Sequence, residues 1–249
     1  MCLTNLCFLN YGNRVSKKII NKKIINFIQN KIKRELQNII SGNEREGEES
    51  IIKTAQSFLR RNKEESSKNK GSKYSREQEE EKLVEFISTN NWWITKEYDP
   101  ENKIGEGAEQ KVYLNQNAQT VTKLNDAVFY VYWFDYLNSL LLHNYFFSIT
   151  CYTLRGFKKE NNKLFAIVDQ KLINPEKIVN LDHVEQFLIN GGFIKPNSFK
   201  NDYTNVGLGI ILEDLHEENV FTSEGALFFI DTVFYLTDVF YKPVAADYI

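Results

Sequence analysis

Apolar residues recur at helical spacing over the first 90 residues of the chain. Between residues 17 and 40 they fall every three to four positions, and lysine and asparagine occupy the other faces. This period predicts an amphipathic helix over 17–40, ended by Ser41-Gly42-Asn43. The same spacing predicts helices over 48–61 and 76–88. Residues 64–73 between them contain no apolar residue, which predicts a linker or mobile loop.

The pattern changes after residue 100. Alternating apolar and polar positions predict paired strands over 103–114 and 120–124, joined by a turn at 115–118. Residues 126–147 are too long and too apolar for a strand, so they predict a buried helix. Three short strands and one more helix are predicted further along, at 164–168, 176–190 (the helix), 208–212 and 226–230. This order of elements predicts an α+β fold in two lobes.

Charge is balanced overall but unevenly distributed. The chain has a net charge of -2, yet residues 1–40 contain eight Lys and Arg residues against the single acid Glu35. This N-terminal part therefore carries a net charge of +7, and the remainder carries -9. A basic segment of this kind could bind nucleic acid, an anionic membrane or an acidic partner, with 14–34 as the contact region. It could equally be the solvated face of a helix.

Three cysteines, Cys2, Cys7 and Cys151, are an odd number, and none has metal-ligand spacing with a histidine. They predict free thiols in a reducing compartment and therefore a cytoplasmic protein. No run approaches about 18 uninterrupted apolar residues, so no membrane insertion is expected. The apolar stretch 1–9 has its basic residues after it rather than before it, which argues against a secretory signal.

The largest group of candidate functional residues lies in and after a polar loop between two predicted strands. Asp214 and Asn219 are five residues apart, and Asp231 follows the apolar run 228–230. In a phosphoryl-transfer site, one residue accepts the proton of the attacking hydroxyl, an amide holds a metal ion, and a carboxylate holds the metals that bridge the phosphates. An ordinary turn between buried strands would favour Asp and Asn for a different reason, their turn propensity.

Two glycines, Gly105 and Gly107, lie between predicted strands and precede Val112. Glycines let backbone amides approach phosphate oxygens, although simple hairpins also use them. Lys123 follows on the next strand, on the same face as Val121. An inward lysine on a half-buried strand needs an anionic partner such as a nucleotide phosphate. The alternative is a lysine that protects a sheet edge from pairing.

Four motifs occur in the order in which the protein-kinase-like fold has them: Gly105-x-Gly107-x-x-Gln110-x-Val112, Val121-x-Lys123, Asp214-x4-Asn219 and Asp231. Over about residues 50–249 the chain resembles the small serine/threonine/tyrosine kinase-like domains of bacterial and phage polyvalent proteins, which belong to mobile elements. The loop from Asp214 to Asn219 is also similar to that of aminoglycoside-type phosphotransferases.

The resemblance implies a two-lobed protein-kinase-like fold with a reduced C-terminal lobe and a helical N-terminal extension. The implied segments are a basic helical segment at 1–44, a helical extension at 45–96 with a polar linker near 62–75, an N-lobe at 97–172 and a reduced C-lobe at 173–249. The implied activity is Mg-ATP-dependent transfer of the γ-phosphoryl group to a hydroxyl of a protein or small molecule.

The resemblance also implies a role for each motif residue. ATP would be bound by Gly105, Gly107, Val112, Lys123, Val168 and Gln170, with 165–171 as the hinge. The catalytic residues would be Lys123, which pairs with the α and β phosphates, Asp214, which accepts or orients the hydroxyl proton, and Asn219. The ligands of Mg2+ would be Asn219 and Asp231. His216 would orient the loop.

Several positions depart from the kinase pattern and motivate other functions. Gln110 replaces a third glycine, Leu212-Glu213 replaces His-Arg, Asp231-Thr232-Val233 replaces Asp-Phe-Gly, and 18 residues follow Asp231. Asp135 is the substitute we predict for the helical glutamate beside Lys123. The alternative function is a catalytically degenerate kinase-like binding module that acts through protein or nucleic-acid contacts of its basic N-terminal helices. Nucleotidyl transfer with the same ligands is a third possibility.

The other conspicuous residues have structural interpretations. Trp92 and Trp93 are expected in core or interdomain packing, His143 is expected to be a core or interlobe histidine, and His183 is expected at the surface. No spacing of histidines, and no nucleophile elbow, supports a zinc or serine hydrolase.

Overall fold

The computed structural model describes residues 15–42, 50–68, 74–174, 176, 178–197 and 200–244, without the side chains of 15–23 and 67–68. The protein has a mixed α+β fold, and the described residues form six α-helices and ten strands whose pairings are antiparallel. The chain divides into two compact units. We call 45–144 with 149–173 the sheet unit, and 1–44 with 145–148 and 174–249 the loop unit.

Two amphipathic helices begin the sheet unit. Helix α2 spans Ile51–Lys68 and α3 spans Arg76–Thr89, where Ser75 and Gln78 form a capping box. Stacking of Phe58 on Phe86, at 4.0 Å between ring centroids, joins the two helices. Their buried apolar residues are Ile52, Ala55, Leu59, Leu83 and Ile87. Both predicted helices are therefore confirmed.

Helix α2 extends further than its apolar pattern. The prediction of a linker is wrong for 64–68, which are helical. Lys and Glu favour helix without needing burial, and Arg60 pairs with Glu64 one turn later at 2.9 Å. Residues 69–73 of the predicted linker lie outside the described residues.

A five-stranded antiparallel sheet forms the centre of the sheet unit, in the order β1-β2-β3-β5-β4. Its strands are β1 Lys103–Glu106, β2 Gln110–Leu114, β3 Thr120–Asn125, β4 Thr153–Glu160 and β5 Lys163–Lys171. Strand β4 was not predicted, because its sequence is rich in charge. Its Lys158 is nevertheless buried, where it donates to the backbone carbonyl of Lys96 at 2.9 Å and pairs with Glu97 and Glu160.

The segment that follows α3 lies along the edge of β4. Ile94 N–H donates to the Phe157 carbonyl, and Phe157 N–H donates to the Trp92 carbonyl. Gly156 has a φ of 152°, and a Cβ there would lie 2.4 Å from the Trp92 carbonyl oxygen. Only glycine permits this close approach. Trp92 also packs edge-on against Phe86, as expected for a packing residue.

Helix α4 spans Trp133–Phe146, which is shorter than the helix predicted over 126–147. Residues 126–132 form a loop instead, because Asn125 and Asp126 accept the backbone N–H groups of Ala127 and Val128 through their side chains. These Asx turns compete with helix formation. The apolar residues that suggested a helix here, Val128, Phe129 and Val131, are exposed.

Helix α3 organises this loop and the start of α4. The guanidinium group of Arg76 donates to the carbonyls of Asp126, Ala127 and Tyr130. Glu79, on the same helix, accepts the N–H of Trp133 at 2.6 Å. The first N–H groups of a helix lack partners within the helix, so the carboxylate both satisfies one of them and complements the helix dipole.

In its described residues, the loop unit combines three helices with two small sheets. The helices are α1 Val15–Ser41, α5 Leu181–Asn190 and α6 Asp238–Tyr241. Strands β6 Tyr203–Asn205, β7 Ile210–Glu213 and β10 Val233–Leu236 form one sheet in the order β10-β7-β6, and β8 Val220–Ser223 pairs with β9 Ala226–Phe229. The predicted helix over 176–190 begins only at 181, where Asn180 caps it by accepting the N–H of Asp182.

Helix α1 packs on the C-terminal part of the chain, and its prediction over 17–40 is confirmed. Leu36 and Ile40 are buried. Lys33 donates to the carbonyl of Val239 at 2.6 Å, and Gln37 donates to the carbonyls of Phe240 and Lys242. In the described part of the chain, no helix has the length and apolar character needed to cross a membrane.

Candidate functional site

One row of the five-stranded sheet brings the predicted nucleotide-binding residues into register. Gly105 pairs with Val112, Val112 pairs with Lys123, and Lys123 pairs with Val168. Directly paired residues of antiparallel strands have their side chains on the same face. Gln170, two residues beyond Val168, also lies on this face. The sheet therefore brings together residues from four strands, of which β5 is well separated from the other three in sequence.

The two glycines leave open backbone beside this row. A Cβ at Gly107 would have no atom within 4 Å, and one at Gly105 would make only ordinary contact with Val112, at 3.6 Å. Neither glycine has a positive φ. Packing and backbone conformation therefore do not require glycine at either position, and an added side chain would only fill open space. Such open backbone suits the close approach of phosphate oxygens.

Lys123 is buried on the central strand of the sheet, with 3% of its surface exposed. The alternative of an edge-protecting lysine is therefore wrong, because β3 has a neighbour on each side. The ammonium Nζ lies 5.5 Å from the centroid of the Tyr152 ring, a cation–π distance. An inward lysine, as predicted, occupies this face.

Gln170 and His143 hold the chain just before Tyr152. Gln170 Nε2 donates to the Thr150 carbonyl at 2.7 Å, and His143 Nε2 donates to the same carbonyl at 2.9 Å. Both side chains are buried. His143 is thus a hydrogen-bonded core histidine, as predicted, and the amide nitrogen of Gln170 takes part in fixing the fold beside the row.

Two carboxylates lie near the start of α4, the buried Glu79 and the half-buried Asp135. Burial raises the pKa of Asp135, and the positive charge of Lys63 opposes this shift. The pairing of Asp135 with Lys123 stays a prediction. Burial also raises the pKa of Glu79 to about 7, against the opposing effect of the N–H groups of Trp133 and Phe134. Sequence reasoning missed Glu79, although its position one turn before the buried Leu83 could have identified it.

The predicted catalytic loop follows strand β7 in the loop unit. Asp214 has a φ of 66°, a left-handed conformation that Asp tolerates better than most residues. Asn219 Nδ2 donates to the Asp214 carbonyl at 2.9 Å and to its Oδ2 at 2.8 Å. Asn219 also accepts the N–H of Ile230 through its backbone carbonyl. The loop therefore brings Asp214 and Asn219 into direct contact. Asn219 is also bonded to Ile230, the neighbour of Asp231 in the chain.

His216 completes the hydrogen bonds of the loop. Its Nε2 lies 3.3 Å from Asp214 Oδ1, and its Nδ1 accepts the N–H of Glu218. Nε2 also lies 3.0 Å from Asn219 Nδ2, so the imidazole contacts both members of the Asp214–Asn219 pair. The expected role of His216 in orienting the loop agrees with these contacts. His183 is exposed, as predicted.

Partial burial raises the pKa of Asp214 above its ordinary value. His216 and the amide of Asn219 oppose this shift, whereas the charges of Asp231 and Asp202 add to it. Asp214 and Asp231 are therefore close enough for their charges to interact. Asp202 was not identified from the sequence, and its charge also helps burial to raise the pKa of Glu213.

The described residues contain no cluster of three or more His, Cys, Asp or Glu side chains that could hold a metal ion. A magnesium ion bound together with phosphates needs fewer protein ligands, because it keeps phosphate oxygens and waters in its shell. Asn219 uses its amide nitrogen in the contacts with Asp214, so its amide oxygen is the atom suited to a metal. An amide oxygen with the nearby carboxylate of Asp231 fits the ligand chemistry of magnesium.

The basic N-terminal contact region is only partly described. The side chains at positions 17, 18, 22 and 23 and residue 14 lie outside the described part, as do Cys2 and Cys7. Lys33 is buried against Val239 and is used in the fold rather than presented to a partner. Cys151 is an exposed free thiol.

Comparison with known protein families finds a match for this chain. A family model described as a serine/threonine/tyrosine kinase found in polyvalent proteins matches residues 76–238. No curated protein matches the chain, and no solved structure matches it either. The matched span covers more than half of the chain and runs from the first residue of α3 to the first residue of α6. It contains every residue of the candidate site and leaves out α1 and α2.

Proposed function

The chain belongs to the serine/threonine/tyrosine kinases found in polyvalent proteins, and from this membership we propose that it is a Mg-ATP-dependent phosphotransferase. It transfers the γ-phosphoryl group of ATP to a hydroxyl of a protein or small molecule. The observation that carries this proposal is the contact of Asn219 with both the carbonyl and the carboxylate of Asp214. A simple turn needs no such pairing of an amide with the carboxylate five residues earlier.

Nucleotide binding is assigned to the sheet unit. The open backbone of Gly105 and Gly107 would admit the phosphates, and Lys123 would neutralise charge on the α and β phosphates. The apolar side chains of Val112 and Val168, which flank Lys123 in the row, would contact the base. Gln170 would also bind the nucleotide, at the far end of the same face.

Proton and metal chemistry is assigned to the loop unit. Asp214 would orient the acceptor hydroxyl and take its proton, and His216 and Asn219 keep its carboxylate in place. Asn219 and Asp231 would hold magnesium, which neutralises charge on the phosphates when bound. The raised pKa of Asp214 makes its carboxylate a stronger base than an ordinary aspartate.

Family membership also supports the finer expectations. We propose that 97–172 and 173–249 form the two lobes of a kinase-like fold, with a reduced C-terminal lobe, and that 1–96 form its helical N-terminal extension. A bacterial or phage mobile element is the proposed source, by the resemblance to polyvalent proteins. The cysteine content supports a cytoplasmic location.

The first test is thermal unfolding with and without Mg-ATP. Ligand at about 100 times its dissociation constant should stabilise the protein by roughly 2.7 kcal/mol. We expect a magnesium-dependent shift in the natural protein and in the control Asp238→Asn, an exposed aspartate of α6. Asp231→Asn should lose the shift and the turnover, while it keeps the melting temperature of the unliganded protein.

The outcomes separate the competing functions. A full shift and turnover in Asp231→Asn would remove the proposal. No shift in the natural protein would favour the alternative, a degenerate kinase-like binding module that contacts protein or nucleic acid through 14–34. Product analysis distinguishes the third possibility, because phosphoryl transfer releases ADP whereas nucleotidyl transfer releases pyrophosphate.

A further inference from the structure

Lys123 carries a positive charge into a buried position of the sheet unit. Water cannot fully solvate its ammonium group there, so contacts within the protein must offset part of the lost hydration. The ring of Tyr152, which is itself buried, lies 5.5 Å from the ammonium nitrogen. The electron-rich face of an aromatic ring attracts a cation at this distance, and the attraction is stronger when both groups are desolvated.

Three side chains fix the segment that carries this ring. Asn144 accepts the N–H of Tyr152 at 2.6 Å and donates to the carbonyl of the same residue at 2.8 Å. His143 and Gln170 both donate to the carbonyl of Thr150, two residues earlier. The backbone around Tyr152 is therefore held from α4 on one hand and from β5 on the other.

His143 also contacts the ring directly. The centroids of the His143 and Tyr152 rings are 4.5 Å apart, with 48° between their planes. Because the hydrogen bond to Thr150 fixes the imidazole, this contact restricts the rotation of the Tyr152 side chain. The position of the ring is thus set by the fold and does not depend on a bound nucleotide.

We propose that Tyr152 is the positioning residue for Lys123. This inference rests on the proposed function, in which Lys123 binds the phosphates of ATP. The ring holds the ammonium group in the row with Val112 and Val168 before the nucleotide binds, which reduces the ordering that binding requires. Since the ring is neutral, it attracts the ammonium group without neutralising its charge. The roles of His143, Asn144 and Gln170 are indirect, because they hold the segment 150–152 that carries the ring.

The central experiment compares a variant that keeps the ring with one that removes it. Tyr152→Leu should weaken the binding of Mg-ATP about tenfold by calorimetry, with KM for ATP raised more than kcat is lowered. Tyr152→Phe keeps the ring and should retain most of the affinity for Mg-ATP. In a Lys123→Met background, Tyr152→Leu should have no further effect, because the group that the ring holds is gone.

A graded series separates the cation–π contact from packing. Phenylalanines with one, two and three ring fluorines at position 152 keep the shape of the ring while they weaken its attraction for cations. Affinity for Mg-ATP should fall stepwise along this series, at an unchanged melting temperature of the unliganded protein. A flat series, or natural affinity in Tyr152→Leu, would overturn the proposal.

A second readout does not need nucleotide. The ε-methylene protons of Lys123, assigned by loss of their NMR signal in Lys123→Arg, should show a ring-current shift in the natural protein and in Tyr152→Phe. The shift should vanish in Tyr152→Leu. If the natural protein binds no Mg-ATP, the proposed function fails, and the positioning role of Tyr152 is then decided by the presence or absence of this shift.

Discussion

A charge that is distant in sequence acts on Asp214, the proposed base of the loop. Strand β6 pairs with β7 so that Tyr203 lies opposite Leu212, which brings Asp202 beside Glu213 and Asp214. The negative charge of Asp202 adds to the effect of burial in raising the pKa of Asp214. A carboxylate with a raised pKa takes up protons at a higher pH, so it loses activity as a base earlier on acidification.

The charge of Asp202 should therefore be visible in the pH dependence of catalysis. Asp202→Asn removes a negative charge, which favours the ionised form of Asp214 and lowers its pKa. The acidic limb of the kcat/KM profile for phosphoryl transfer should move to lower pH. Asp182→Asn, an exposed aspartate in the first turn of α5, is the matched control and should leave the limb in place. A limb that stays fixed in both variants would show that Asp214 does not govern it.

At the scale of elements, side chains of α3 stabilise the junction between β3 and α4 by hydrogen bonds, an arrangement that we call the clamp. Arg76 satisfies three carbonyls of the loop 126–132, and Glu79 caps the helix that follows. These two side chains are one turn apart on α3, so a single helix fixes both the end of β3 and the start of α4. The helix α4 supplies His143 and Asn144, which hold the segment of Tyr152.

Removing the guanidinium group should loosen this junction. Arg76→Ala leaves three backbone carbonyls without their donor, and we expect a loss of about 3 kcal/mol in the free energy of unfolding. Hydrogen exchange should show reduced protection in 126–136. Arg61→Ala is the control, because that exposed arginine donates only to Ser57 within its own helix. Unchanged exchange in the loop of Arg76→Ala would contradict the clamp.

Glu79 makes the stability of this junction depend on pH. Burial raises its folded-state pKa from 4.5 to about 7, with Asp135 adding to the shift and Lys63 opposing it. The contribution of Glu79 to the free energy of unfolding is therefore largest below about pH 4.5. It falls as the pH rises through 7, by roughly 3 kcal/mol at most.

A variant without the titrating group isolates this effect. Glu79→Gln keeps an oxygen that can accept the N–H of Trp133 but carries no charge. The natural protein should lose stability relative to Glu79→Gln between pH 5 and pH 8, measured by urea unfolding at both values. A parallel change in the two proteins would mean that Glu79 keeps its ordinary pKa.

Sequence patterns predict the elements that depend on local spacing, and they fail where tertiary contacts decide. Helix α3 follows from its apolar period, and the row through Lys123 follows from ordered motifs. The start of α4 was wrong because Asn125 and Asp126 turn the chain by side-chain hydrogen bonds, although the following residues are apolar. The effect of Asp202 on Asp214 depends on the pairing of β6 with β7, and β6, with three residues, is too short for its pattern to predict a strand.

At the scale of the whole molecule, the order of the chain differs from its division into units. Helix α1 comes first in sequence but belongs to the same unit as the predicted catalytic loop, which follows β7. It binds the carbonyls of Val239, Phe240 and Lys242 through Lys33 and Gln37. The family match leaves α1 out, yet these contacts make α1 a structural part of the loop unit.

A pair of substitutions on α1 distinguishes a structural helix from a mobile binding arm. Leu36 is fully buried, so Leu36→Ala should cost about 3 kcal/mol of stability and reduce hydrogen-exchange protection in 203–213 and 233–241. Ile25 on the same helix is 46% exposed, and Ile25→Ala should cost less than about 1 kcal/mol. Equal, small effects of both substitutions would mean that α1 does not support the loop unit. A large effect of Leu36→Ala alone would mean that α1 contributes to stability as well as basic charge. Deleting α1 would then remove both, so a loss of partner binding in such a truncated chain could not be assigned to the charge.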